Sequence, residues 1–338
     1  MISEHSFGVQ AIAFSPDSKL LATLGTVNDG FLHIWEIDER SGAATLIATN
    51  KCTNVVRQIV WIGRNLITVG VRFVKVWRPD ESSSASNTNG DQTCVLSSPG
   101  HKPLFGRNTL LGELLEATFT TVVGISDSKA ITCADNGDVC LLDDSEKQQR
   151  LSKVAAVDFG VTAACTAANG QLLVSGVDGR IEMLCLEQLL QETSSRETPN
   201  LLSPKKASYK RQTQLSAIGW IDSIVVTVDN GHSIQLRQPS TTENPPSFPV
   251  MNTLAAHSDQ ILGIRALPMI KQQPASFLTW SSEGSVIGWN SNGKPTFNTN
   301  VPLEQVNDVY NMTNELKSVS SVLHCSFIVT GDKYGVLR

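Results

Sequence analysis

The chain has 338 residues, 41% hydrophobic and 17% charged, with 24 glycines, 14 prolines and a formal net charge of −5. That length can bury a sizeable core in one large or two smaller domains, and the acidic balance leaves no face that can be called basic, which argues against nucleic-acid or anionic-membrane partners. The seven cysteines are scattered without a C-x-x-C pair, residues 1–10 lack the features of a signal peptide, and no run of 18 apolar residues occurs; the expectation is a reduced, cytoplasmic protein that does not span a membrane.

In chain order, one phrase repeats. VQAIAFS and LLATLG lead to a turn at Asp29-Gly30 and a strand that closes on Trp35. VRQIVWI and NLITVG lead through Arg72-Phe73 to Trp77, and TTVVGIS and KAITCAD lead through Asn136-Gly137 to Leu142. TAACTA and LLVSGVD reach Leu184 by way of Asp178-Gly179. LSAIGWI and SIVVTVD then precede DNGHSIQLR, which ends at Arg237, and ILGIRAL and SFLTWSS precede SSEGSVIGW, which ends at Trp289. A last copy, GDKYGVLR, stops two residues short of its closing aromatic position. Only LEQLLQE, from Leu186 to Glu192, reads as a helix.

The closing positions are 42 residues apart from Trp35 to Trp77 and from Leu142 to Leu184. The intervening step of 65 falls to 43 without the polar stretch Pro79 to Gly100, and the later steps of 53 and 52 also hold polar or proline-rich inserts. A period near 40–45 residues with several short strands per unit points to a β-propeller, because one small sheet cannot bury its faces unless neighbours cover them. Within the strands, branched and aromatic residues alternate with small or polar ones, the pattern of half-buried strands. The fold expected is all-β, with six recognisable blades and a partial seventh in a ring incomplete at one or both ends. The propeller covers residues 1–290 with inserts at 79–100 and 191–211. A linker follows over 291–318, and 319–338 begin a further, truncated blade.

HSFGVQAIAFSPDSKLLATLG followed by DGFLHIWEI resembles a WD repeat, and AHSDQILGIRAL with FLTWSSEGSVIGWN is a second match in which Glu283 stands where the repeat usually has Asp. With NKCTNVV, LITVGVRFVKVW, PLFGRNTLLGEL and DNGHSIQLR in the same order, the series resembles the mitogen-activated-protein-kinase-binding WD-repeat group, which includes a spindle-pole kinase scaffold. The segment Gly106 to Leu114 is its most specific piece. The resemblance covers most of residues 4–290 and implies two rings, with residues near 300–338 opening the second. It implies protein partners (stress or mitogen kinases, or spindle and microtubule components) and a cytoskeletal or spindle-pole location.

His5, Thr23, Asp29 and Trp35 supply the residue types of a hydrolytic triad, but no G-x-S-x-G elbow accompanies them. In WD repeats such groups form a buried hydrogen-bond chain, and that structural role is expected here and for His257 and Trp289. The six histidines show no metal-ligand spacing, and GRNTLLGEL lacks the lysine of a phosphate-binding loop. No catalytic residue, metal or cofactor is therefore expected. Ser203, followed by Pro204 and by Lys205, Lys206, Lys210 and Arg211, is a candidate site for a proline-directed kinase. Trp61, Trp220 and Trp280 are expected in the core. The axis-lining strand starts are expected to be mostly apolar or small, which weighs against a propeller hydrolase; a direct tubulin binder is the other alternative.

Overall fold

Short strands joined by tight turns pair with their neighbours in sequence, and the computed structural model is built of such antiparallel sheets. It describes residues 2–38, 40–80, 101–145, 149–191, 213–230, 233–240, 245–267, 275–303, 313–322 and 327–338. Blade 1 comprises Val9–Phe14, Leu20–Gly25, Phe31–Ile37 and Ala44–Lys51, and Lys102–Pro103 adds a short parallel rung to its outer edge. Blade 2 holds Val56–Ile62, Asn65–Gly70, Phe73–Arg78 and Phe105–Asn108. Blade 3 holds Phe119–Gly124, Lys129–Ala134, Asp138–Asp143 and Arg150–Ala156. In blade 4, Val161–Ala167, Gln171–Gly176 and Ile181–Cys185 are followed by the helix Leu186–Gln191.

Blade 5 holds Leu215–Ile221, Ile224–Asp229, Ile234–Arg237 and Val250–Leu254. Blade 6 holds Ile261–Ala266, Phe277–Ser281, Ser285–Trp289 and Pro295–Asn300. The last of these strands lies within 291–318, the stretch expected as a linker. A seventh sheet pairs Leu316–Ser321 with Ile328–Asp332.

Each junction between sheets has its own apolar cluster. Leu66 packs toward blade 1 with Leu32 and Ile34, while the next residue, Ile67, packs toward blade 3 with Phe119 and Leu142. The second strand of a blade is therefore covered on both faces, and Leu20–Gly25 is buried throughout. This corrects the half-buried pattern expected from sequence: neighbouring blades leave a middle strand no solvent face, so its alternation records which neighbour each side chain meets.

The seventh sheet lies between blades 6 and 1. Leu316 and Val319 pack with Val286 of blade 6, and Val322 and Leu337 pack with Val9, Phe14 and Trp35 of blade 1. Ser318 Oγ accepts the Ile12 N–H at 3.0 Å. The chain ends complete the seam. Thr330 and Arg338 exchange backbone hydrogen bonds of 2.9 and 3.0 Å, and Leu337 exchanges bonds of 2.8 and 3.1 Å with Ile2. Residues 316–322 and 327–338, placed by resemblance at the opening of a second ring, pack here between blades 6 and 1.

The glycine of the repeated phrase has a local cause. Gly30, Gly137, Gly179, Gly284 and Gly335 have φ between +69° and +97°, the left-handed region that a Cβ disfavours. Arg72 occupies that place in blade 2 with φ 57°, at a cost of about 1–2 kcal/mol.

The innermost strands share another device. In every one of the seven described sheets, pairing between the first and second strands shifts register between the first and third residues of the inner strand. Such a bulge re-aims the extra residue. The first residues, such as Val9, Phe119 and Leu316, are buried, whereas the second residues (Gln10, Arg57, Thr120, Thr162, Ser216, Leu262 and Lys317) line a central channel. The lining is mostly apolar or small, with Gln10, Arg57, Arg265 and Lys317 among the exceptions; the first residue of each inner strand turns between the blades, and the residue after it faces the axis.

Candidate functional site

Blade 1 brings His5, Thr23, Asp29 and Trp35 together. The Trp35 indole N–H donates to Thr23 Oγ1 at 2.9 Å, and that oxygen lies 2.9 Å from His5 Nε2. On the other side of the ring, His5 Nδ1 is 2.7 Å from Asp29 Oδ2, and Asp29 Oδ1 accepts the Ser6 N–H at 2.7 Å. Thr23 has one proton to give, so the arrangement assigns it to His5 Nε2 and makes His5 Nδ1–H the donor to Asp29. His5, Thr23 and Trp35 are buried, and the Asp29 side chain is 2% exposed. Thr23 Oγ1 is engaged from two sides and has no access to solvent.

Blade 6 repeats part of the chain. Thr279 Oγ1 is 2.8 Å from both His257 Nε2 and the Trp289 indole nitrogen. Glu283 is one methylene longer than Asp, and its carboxylate reaches past the imidazole to the Ser258 N–H and hydroxyl. His257 Nδ1 is left buried without a hydrogen-bond partner. Burial lowers the pKa of His257, and the Glu283 charge opposes that shift.

Threonine is the recurring element that sequence inspection singled out only once. Thr23, Thr68, Thr132, Thr227, Thr279 and Thr330 occupy equivalent positions in the second strands, and all are buried. Where the third strand closes on tryptophan, the indole donates to this hydroxyl, as Trp77 does to Thr68 at 3.0 Å. Arg237 in blade 5 does the same through Nε, 3.2 Å from Thr227 Oγ1, and also donates from Nη1 to the Phe248 carbonyl at 3.0 Å. Blade 3 closes on Leu142, which has no donor, and Thr132 instead donates to the Thr121 carbonyl at 2.9 Å. Blade 4 has Val174 at the equivalent position, together with Leu184.

His33 adjoins the blade 1 chain. Its ring stacks on Phe31, lies 4.6 Å from the His5 ring, and has Nδ1 2.9 Å from Thr49 Oγ1. Burial lowers its pKa to about 4, with the His5 charge acting in the same direction and Asp29 opposing. Burial also pushes the Cys133 and Cys165 thiols up to about 12, away from the thiolate that nucleophilic chemistry requires. Trp61 is buried and donates to the Ala13 carbonyl at 2.9 Å, whereas Trp220 and Trp280 are half-buried beside the channel. Gly106 to Leu114 forms most of the outer strand of blade 2 and a short 3-10 turn. Ser203 lies outside the described residues. Among the described residues, no group of three or more His, Cys, Asp or Glu is placed to hold a metal, and no helix is long and apolar enough to cross a membrane.

One face of the ring carries the loops that lead into the inner strands and the turns between second and third strands. Both belong to the same end because the second strand runs back to where the first began. Phe7, Val27, Val55, Leu115 and Val177 sit in these loops, between 42% and 63% exposed. Backbone bonds tie the loops together: Val71 N–H donates to the Val55 carbonyl at 3.1 Å, Arg72 N–H to Ala117 at 3.0 Å, and Val177 N–H to Gly160 at 3.0 Å.

The WD domain, G-beta repeat model matches residues 1–36. Mitogen-activated protein kinase-binding protein 1 of Mus musculus is 24% identical over 348 residues, covering 84% of this chain and 22% of the relative; its Homo sapiens counterpart is 24% identical over 351 residues with the same coverage. Cilia- and flagella-associated protein 52 of Chlamydomonas reinhardtii is 28% identical over 182 residues, which are 53% of this chain and 27% of that protein. The chain therefore spans about a quarter or less of the length of these curated relatives. The solved WD40 beta propeller domain of Doa1 superposes with a TM-score of 0.63 at 13% identity, covering 100% of this chain and 93% of that one, a likeness of fold. The ring of blades makes this chain a β-propeller whose first 36 residues match the WD repeat model, and which is similar at modest identity to mitogen-activated protein kinase-binding protein 1.

Proposed function

We propose that the chain is a non-catalytic protein-interaction scaffold that docks its partner on the face carrying the leading loops. The observation behind this reading is the grouping of Phe7, Val27, Val55, Leu115 and Val177 in loops of that one face, on a ring stiffened by hydrogen-bond chains within its blades. Large apolar side chains exposed on rigid loops are the usual anchors of a protein interface. His5, Thr23, Asp29, Trp35, His257 and Trp289 serve the frame by holding these loops against the blades. The likeness to a protein named for mitogen-activated protein kinase binding makes such a kinase the first partner to test, and a cytoskeletal or spindle-pole setting is part of the proposal. The partial likeness to a ciliary protein makes tubulin the second.

Binding of purified mitogen-activated protein kinases, with tubulin in parallel, tests the proposal. The expected outcome is measurable affinity for a kinase that weakens about tenfold or more in the Phe7→Ser/Leu115→Ser/Val177→Ser variant, with its melting temperature unchanged. Undiminished binding by that variant would rule out this face. Binding of tubulin alone would transfer the reading to microtubules, and turnover on ester or glycan panels would overturn the non-catalytic assignment.

A further inference from the structure

The central channel has a cavity volume of about 790 Å³, in the range of small-molecule sites. Its lining contains Arg57, Arg265 and Lys317 and, among the described residues, no aspartate or glutamate, although the whole chain is acidic. The three cations come from blade 2, blade 6 and the seventh sheet, and Gln10 of blade 1 lies between Arg57 and Lys317 around the ring. One side of the channel is therefore electropositive. Arg57 and Lys317 stand at the bulged second residue of their strands. Arg265 is the fifth of its own, about 10 Å further along the axis at the rise of a strand.

The opposite side is neutral. Thr120, Thr162 and Ser216 donate to the carbonyls of Val161, Ser175 and Val228 at 2.8, 3.0 and 3.3 Å, so their protons are already committed. Arg57 is exposed and makes no ion pair among the described residues. Lys317 pairs with Glu315, which lies outside the lining and also meets Lys333 at 3.4 Å, so one carboxylate is shared by two lysines. The indole N–H groups of Trp220 and Trp280 add buried donors without acceptors to the wall. A cavity lined by cations and, among the described residues, by no carboxylate concentrates a positive field and favours a ligand of opposite sign.

We propose that the central channel binds a small polyphosphate anion, held by Arg57, Lys317 and Arg265 along one wall. Guanidinium groups suit phosphate oxygens because their paired N–H groups meet two oxygens at once. The spread of cations along the axis suits several phosphates on one compact frame, as in an inositol polyphosphate. This site is independent of the apolar loop face.

Calorimetric titration of the 338-residue chain with inositol hexakisphosphate tests the proposal, with sodium sulfate at matched ionic strength as control. The expected result is one site per chain, weakened about tenfold or more in Arg57→Gln and again in Lys317→Gln, and unchanged in Lys294→Gln, which removes an exposed lysine of a blade 6 turn. Melting curves of each variant without ligand establish that the ring is intact. Absence of binding by the parent chain overturns the proposal, as does equal weakening by Lys294→Gln, which would mark diffuse surface attraction. Equal binding of sulfate would indicate a general anion effect and also overturn it. Binding of a polyglutamate peptide with none of the hexakisphosphate would reassign the channel to acidic protein segments.

Discussion

Thr23 shows how much one hydroxyl can hold. It receives the Trp35 indole proton and faces His5 Nε2, and both partners are buried. Thr23→Val keeps the branched shape and removes the oxygen, leaving a buried donor and a buried acceptor unpaired at about 1–3 kcal/mol each. The expected loss is about 2–4 kcal/mol by denaturant melting. Thr132→Val, which removes a single bond to the Thr121 carbonyl, should cost about 1 kcal/mol. Equal losses would show that the blade 1 chain contributes nothing beyond the bulk of the side chain. His33 illustrates the opposite condition, a ring so far removed from water that its charged form is penalised.

At the scale of the strand, closing residues can change identity while the bond they make persists. Arg237 stands where other blades have tryptophan, and its guanidinium still reaches the threonine of the second strand. Arg237→Trp keeps a donor for Thr227 and gives up only the bonds to the Phe248 carbonyl and Gln235, so it should lose about 1 kcal/mol, while Arg237→Leu, which also loses the bond to Thr227, should lose about 2 kcal/mol. Denaturant melts of the two variants side by side decide this, and a leucine variant as stable as the parent would mean that the arginine only fills space. The repeat was legible here from turn and strand spacing. The substitution was not, because sequence shows a lost aromatic where the fold shows a preserved donor.

For the molecule as a whole, the seam between the chain ends is the place where the ring can open. Gly335 has φ +89°, and a Cβ there would lie 1.7 Å from the His5 carbonyl oxygen. Gly42 has φ +68° with open space around it. Gly42→Ala should cost about 1 kcal/mol from backbone strain alone, and Gly335→Ala at least twice that, with amide exchange accelerating first at Ile2 and Leu337. Identical melting midpoints for the two variants would show that the ends do not close the ring. The whole-molecule view also revises what net charge implies. A chain of charge −5 reads as unsuited to anions, yet its cations and carboxylates are sorted by the fold, and the channel receives only the cations among its described lining.

The repeat period, the turn glycines and the apolar strands were enough to specify a propeller, because each is a local property of φ, of side-chain shape and of alternation along a strand. The pairing of His5 with Asp29 and Thr23 was also legible, since one unit contains all three. Tertiary structure alone decided that Pro295–Asn300 belongs to blade 6, that residues 316–322 and 327–338 lie between blades 6 and 1, and that Arg57, Lys317 and Arg265 share one passage. The first rests on a hairpin of an exposed polar strand, and the other two on which residue a bulge turns toward the axis and on contacts between segments some 200–300 residues apart. No local propensity records either.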